Sequence, residues 1–149
     1  QFSQDIALQF VTITLVGGVI CQPLIGILLD RMNKRLLMNI AVFCTFVCPI
    51  IIGVFLGNFY LVALSCFVWG GAASGIFSIS LTMLGERYTA SQVAGATAIL
   101  VMVFECGSLI GPLIGGRVMD IFGPFGFIYT IVFFTFIFLM ISIYRTIRN

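Results

Sequence analysis

One carboxylate in this chain stands where a charge is hardest to keep. Glu105 falls near the middle of an apolar run over residues 92–116, and an ionised side chain at that depth of a membrane costs at least about 2.5 kcal/mol on insertion scales. No Lys or Arg lies at a similar depth in the chain. A carboxyl so placed is protonated, faces water, or is paired with a group outside these residues. The chemistry it offers is proton coupling or cation binding; the plainer reading is a neutral Glu hydrogen-bonded between helices. Gly107, Gly111 and Gly115 form a ridge at i, i+4, i+8 on the same run, suited to close helix packing. At 100° per residue Glu105 projects about 160° from Gly107. A helix held in its own bundle by that ridge therefore aims the carboxyl away from it. Pro112 weakens the backbone ladder behind it and is a hinge candidate.

The other candidates are neutral. Ser65, Trp69, Ser74 and Ser78 lie in a run studded with Gly and Ala, and small residues either let helices approach closely or leave room for a solvent-filled path. Trp69 sits near mid-depth rather than at an interface, where it lines a substrate cavity beside Ser65 or simply packs. Gln9 and Gln22 give the first apolar run its polarity. They lie about 140° apart on a helical wheel and do not share one stripe.

The elements that must position these residues follow from composition. The chain of 149 residues is 61% hydrophobic and only 8% charged, with a mean hydropathy of +1.23; typical soluble domains carry about 25% charged residues. A water-facing surface cannot be built from so few charges, so the chain reads as an all-α, polytopic transmembrane helical bundle in contact with the lipid bilayer. Five runs, near 6–29, 36–56, 59–84, 92–116 and 125–144, are long enough to cross a hydrocarbon layer of about 30 Å. Open sheet edges cannot be satisfied in lipid, which leaves helices. Short links make neighbouring spans antiparallel: residues 30–35, the turn Gly57-Asn58, a segment ending in Ser91 as helix N-cap, and the Gly- and Pro-containing stretch 117–124. The second and fifth spans, the latter rich in Phe, have hardly a polar group and are expected to face lipid.

The small net charge of +2, with basic residues at span ends, argues against nucleic acid. The five cysteines all fall in apolar runs, where packing is the expected role rather than disulfides. With no His in the chain, neither a metal site nor a cofactor is expected, and the absence of a nucleophile–base pair makes an enzyme a weak reading. The opening Gln1-Phe2-Ser3-Gln4 has neither an initiator Met nor the basic start of a signal peptide; the chain reads as a piece of something longer.

Orientation comes from counting. Arg31, Lys34, Arg35, Arg87, Arg145 and Arg148 fall on one side of five crossings, and Arg117 on the other. Basic loops stay in the cytoplasm, so the C-terminus and the first loop are expected inside and residue 1 outside. Asp30 and Glu86 lie at that cytoplasmic edge. Asp30 is suited to accept from the free N–H groups opening the fourth span, where the helix dipole favours an anion, and Arg31 or Arg35 to pair with Glu86. Together they form a candidate conformational latch.

The same loop carries a resemblance. Gly26-x-Leu28-x-Asp30-Arg31-x-Asn33-Lys34-Arg35 resembles the signature loop of the major facilitator superfamily, G-x-L-x-D-R-x-G-R-[RK], departing at Asn33, where Gly is usual. Asn tolerates left-handed backbone angles better than most residues, so the turn is expected to survive. Gly107-x-x-x-Gly111-Pro112-x-x-Gly115-Gly116 resembles the Gly-Pro motif of the fifth helix or its counterpart in the eleventh. Three helices follow the loop's second helix before a basic tail, which resembles helices eight to twelve of the C-terminal half. The resemblance implies that residues 1–149 belong to a six-helix bundle that rocks against a missing N-terminal bundle around a midplane site. It also implies that Asp30 caps a neighbouring helix and Arg31 bonds an acid placed like Glu86. The function expected is secondary transport of a small-molecule solute by alternating access, coupled to protons through Glu105. The alternative is a non-transporting membrane scaffold, which has no need of a charged latch.

Overall fold

The computed structural model describes residues 4–148, and these form five long helices with no strand. They are α1 (Gln4–Arg31), α2 (Lys34–Val54), α3 (Phe59–Arg87), α4 (Ala90–Phe122) and α5 (Gly126–Arg148), with a single 3₁₀ turn at Gly123–Phe125. Gln1-Phe2-Ser3, expected on the outer side from the charge count, lies outside the described residues. Asp5–Arg31, Lys34–Val54, Phe59–Arg87 and the stretch Ala90–Arg148 are each long and apolar enough to cross a membrane. The last is 59 residues long and is broken by the 3₁₀ turn, so it makes two crossings' worth of helix.

The helices outrun the apolar spans at most ends, because backbone hydrogen bonding continues past the point where side chains stop being apolar. The largest difference is in the stretch 117–124, expected as a link. Arg117 to Phe122 instead complete α4, and the chain turns only at Gly123. Gly123 has φ +69, a backbone angle that glycine adopts without the Cβ clash that penalises other residues. The start of α4 also differs from expectation. Thr89, not Ser91, is the N-cap, and it forms a capping box with Gln92: the Thr89 N–H donates to Gln92 Oε1 at 3.5 Å, and the Thr89 hydroxyl lies 3.1 Å from Gln92 Oε1 and 3.1 Å from Ser91 Oγ. The T-x-x-Q pattern that makes such a box is visible in the sequence.

Packing runs from α1 to α3, from α3 to α2, from α2 to α5 and from α5 to α4, with a lighter contact closing α4 back on α3. At that closure the Phe77 and Phe104 rings stand 5.1 Å apart. The buried cluster joins α1, α2 and α3 through Ile25, Leu29, Leu37, Ala41 and Ile79. The bland second span is therefore not peripheral within this chain. Its Leu37, Ala41, Val42, Thr45, Cys48 and Pro49 are buried, while Leu36, Ile40, Phe43, Ile50 and Val54 are exposed. The exposed stripe at three- and four-residue spacing is the face available to lipid. α5 runs antiparallel to α2, with Phe46 5.8 Å from Phe136 between ring centroids. Near one end, Asn39 bridges to α5 by donating to Thr146 Oγ1 at 3.1 Å and accepting from Ser142 Oγ at 2.5 Å.

The closest seam lies between α1 and α3. Gly17 faces the Phe67 backbone and Gly70 faces the Thr14 backbone, each so closely that a Cβ would overlap the opposing carbonyl. Across the same seam the Ser74 hydroxyl donates to the Gly18 carbonyl at 3.1 Å. Glycine is required at both positions because nothing larger lets the two backbones touch.

Candidate functional site at Glu105 and the basic end

Glu105 lies close to the midpoint of the 33-residue α4, about 22 Å from the helix start at 1.5 Å per residue. It is exposed, and among the described residues its carboxyl has neither an ion-pair partner nor a hydrogen bond. The helix presents almost nothing inward: Gly115 is its one buried residue, packed against the Phe127 ring of α5. The glycine ridge is thus engaged at one end only. Gly107 and Gly111 have nothing within 4 Å of where a Cβ would be, so they do not anchor α4 to this bundle. The residues of α4 that turn towards α3 and α5 are instead Phe104 and Gly115, and Glu105 projects about 80° to 100° from either. Pro112 lies inside the helix on the exposed side.

The six neutral candidates do not converge. Ser74 lies within 3.1 Å of the Gly18 carbonyl and 3.0 Å of the Gly71 carbonyl, and Ser78 donates to the Ser74 carbonyl at 3.4 Å. Both hydroxyls are thereby engaged by backbone. Ser65 is buried and Trp69 half-buried, about 140° or more around α3 from Ser74. Gln9 and Gln22 are exposed on α1. Ser74 is part of the α1–α3 seam, and Ser65 and Trp69 lie off that face of α3. A stripe of small residues reads the same way in sequence whether it makes a seam or a cavity, and here it makes a seam.

The basic end departs from expectation in three particulars. Glu86 is paired with Lys34, not with Arg31 or Arg35. Lys34 opens α2 and Glu86 closes α3, so the pair ties the first loop to the end of α3. Asp30 is exposed and makes no hydrogen bond to the start of α4 among the described residues. Asn33 has φ −62 and ψ 120, not a left-handed backbone, and its side chain caps α2 by accepting from the Arg35 N–H at 2.9 Å. Asn in place of the usual Gly is therefore a helix cap, which the order Asn-Lys-Arg before an apolar run also signals. Gly26 has open space around it.

In the Lys34–Glu86 pair Glu86 is exposed and Lys34 half-buried, so water still screens the contact and its contribution to stability is small, about 0.2–1 kcal/mol. Reversing one charge with Lys34→Glu is expected to lower thermal stability by about that amount, and adding Glu86→Lys to restore it, in a double-mutant cycle on the intact protein. A silent Lys34→Glu would return Glu86 to Arg31 or Arg35.

A cavity of about 1250 Å³ opens at this end between the first loop and the ends of α2, α3 and α5. None of the six neutral candidates lines it.

A 104-residue stretch is 30% identical to an uncharacterized MFS-type transporter of Yersinia enterocolitica, covering 70% of this chain and 26% of that protein. A 116-residue stretch is 25% identical to an uncharacterized MFS-type transporter of Bacillus subtilis, covering 78% of this chain and 29% of that one. The chain thus spans between a quarter and a third of the length of these relatives. No solved structure matches it. The family model described as Major Facilitator Superfamily matches residues 2–148, nearly the whole length over which the five helices and their basic turn are laid out, and the chain belongs to that superfamily.

Proposed function

We propose that this chain is part of a secondary active transporter that moves a small solute by alternating access, with Glu105 as its proton-coupling carboxyl. The observation that carries the reading is the placement of Glu105: an acid at mid-length of a membrane-length helix, exposed, with no partner among the described residues. An ionisable group at that depth marks an ion or proton path in membrane proteins. Membership of the Major Facilitator Superfamily and the likeness to MFS-type transporters support a carrier over a scaffold or an enzyme.

On this reading the five helices belong to the C-terminal bundle, and the exposed face of α4 meets the solute path shared with an N-terminal bundle. The basic loop and the C-terminus lie in the cytoplasm, following the excess of basic residues at that end, and the protein resides in the cell membrane. Lys34–Glu86, together with Gly26, Asp30, Arg31 and Arg35, is the latch that favours one conformation. A single contact with one partner open to water is weak enough to break in each cycle.

The test uses the intact protein in proteoliposomes with an imposed pH gradient, screened against a panel of small solutes. Solute accumulation that a protonophore collapses is expected. Accumulation insensitive to the protonophore overturns proton coupling, and no solute movement across the panel favours the scaffold.

A further inference from the structure

We propose that the cavity at the basic end of the bundle is a binding site for one anionic phospholipid, with its phosphate among the arginines and its chains along α5. The cavity is about 1250 Å³, large enough for a headgroup and the upper part of the acyl chains, and its lining is divided by depth. Arg31, Lys34, Arg35, Arg87 and Arg145 line its outer part, against two carboxylates, Asp30 and Glu86, an excess of three positive charges. Glu86 is already paired with Lys34. Among the described residues no carboxylate lies within ion-pair reach of Arg31, Arg35 or Arg87.

Further in, the wall turns apolar. Met38, Met83, Phe138 and Ile141 line it together with Ser80 and Ser142, whose hydroxyls already donate to the Ile76 carbonyl and to Asn39, and Phe138 and Ile141 are exposed on α5. From Thr146 at the outer edge to Phe138 is eight residues of helix, about 12 Å. Cations at the rim above an apolar wall of that depth match the order of groups in a phospholipid, phosphate outermost and hydrocarbon beneath. Basic pockets between membrane helices bind such headgroups. A soluble phosphate compound satisfies the arginines but leaves the α5 wall uncovered, which decides for the lipid. The bound phosphate spans the first loop and the ends of α3 and α5, three segments that the Lys34–Glu86 pair alone joins only in part.

The test is native mass spectrometry of the intact, detergent-solubilised protein titrated with phosphatidylglycerol or phosphatidylcholine. Preferential retention of one phosphatidylglycerol is expected, weakened about five-fold for each cation removed in Arg35→Gln and Arg87→Gln. Lys34→Gln serves as a second probe should either arginine variant fail to fold. Inorganic phosphate and glycerol phosphate are added in excess as competitors. Equal retention of both lipids overturns the proposal, as does phosphatidylglycerol binding unchanged in the variants that fold. Full displacement by the soluble phosphates assigns the site to a soluble anion and overturns the lipid.

Discussion

Gly70→Ala is expected to prevent α1 and α3 from meeting. The added methyl would overlap the Thr14 carbonyl, a backbone atom that cannot rotate aside, and Gly17→Ala would do the same against the Phe67 carbonyl. The helices must then separate along a seam that also holds Ser74 to the Gly18 carbonyl and abuts the buried cluster at Ile25 and Ile79. Inserting even one methyl group into a close-packed contact costs about 1–3 kcal/mol, occasionally more. Either substitution is expected to lower the thermal midpoint of the intact protein in detergent by several degrees, and a leucine at position 70 to abolish the monodisperse protein. The double alanine variant should lose less than the two single losses added together, because a seam opened for one methyl already admits the other. Gly85→Ala is the control: nothing lies within 4 Å of its added methyl, and alanine in a helix is worth roughly 0.5–1 kcal/mol over glycine. An unchanged midpoint in Gly70→Ala would show that the two backbones do not touch.

The second large effect is on activity and runs opposite to stability. Glu105→Gln keeps the size and hydrogen-bonding capacity of the side chain but can no longer take up or release a proton. Solute accumulation driven by a pH gradient is expected to fall to background in proteoliposomes. Solute exchange across a membrane with no gradient, which needs no net proton movement, is expected to persist. The protein should be as stable as the parent or more so, since an amide at mid-membrane avoids the cost of holding a charge there, about 2.5 kcal/mol or above. Unchanged pH-driven accumulation removes Glu105 from the coupling role. Loss of both accumulation and exchange, with a lowered thermal midpoint, assigns Glu105 to structure instead. These outcomes separate a proton carrier from a carboxyl that merely hydrogen-bonds to a neighbouring bundle.

The difference at Glu86 shows where residue types alone run short. Lys34 and Arg35 are adjacent in the chain and both basic, and no rule of charge patterning ranks one over the other. Asn33 caps α2 and starts the helix at Lys34, whose side chain reaches Glu86 on α3. The capping pattern was there to be read; its consequence for the neighbouring pair was not. Asn39 is a similar case. Its bridge to Ser142 and Thr146 of α5 joins residues more than a hundred positions apart, and each of the three is unremarkable in its local sequence.

What the amino-acid sequence determined by itself is everything that depends on one residue and its near neighbours along the chain. Apolar runs of about 20 residues are helices in a membrane because no other backbone arrangement satisfies its own hydrogen bonds in lipid, and the spacing of Asp30, Arg31, Lys34 and Arg35 marks the superfamily. The rarity of acids in such runs singles out Glu105. Tertiary structure alone decided which helix faces touch. Gly70, Gly71 and Gly75 of α3 make a seam against α1 while four of the five glycines in α4 are left open, and the bland α2 sits between α3 and α5 while α4 stands exposed. Small residues and apolar stripes are compatible with several neighbours, and only the joint packing of five helices chooses among them, since contact energies depend on what each face meets rather than on what it is made of.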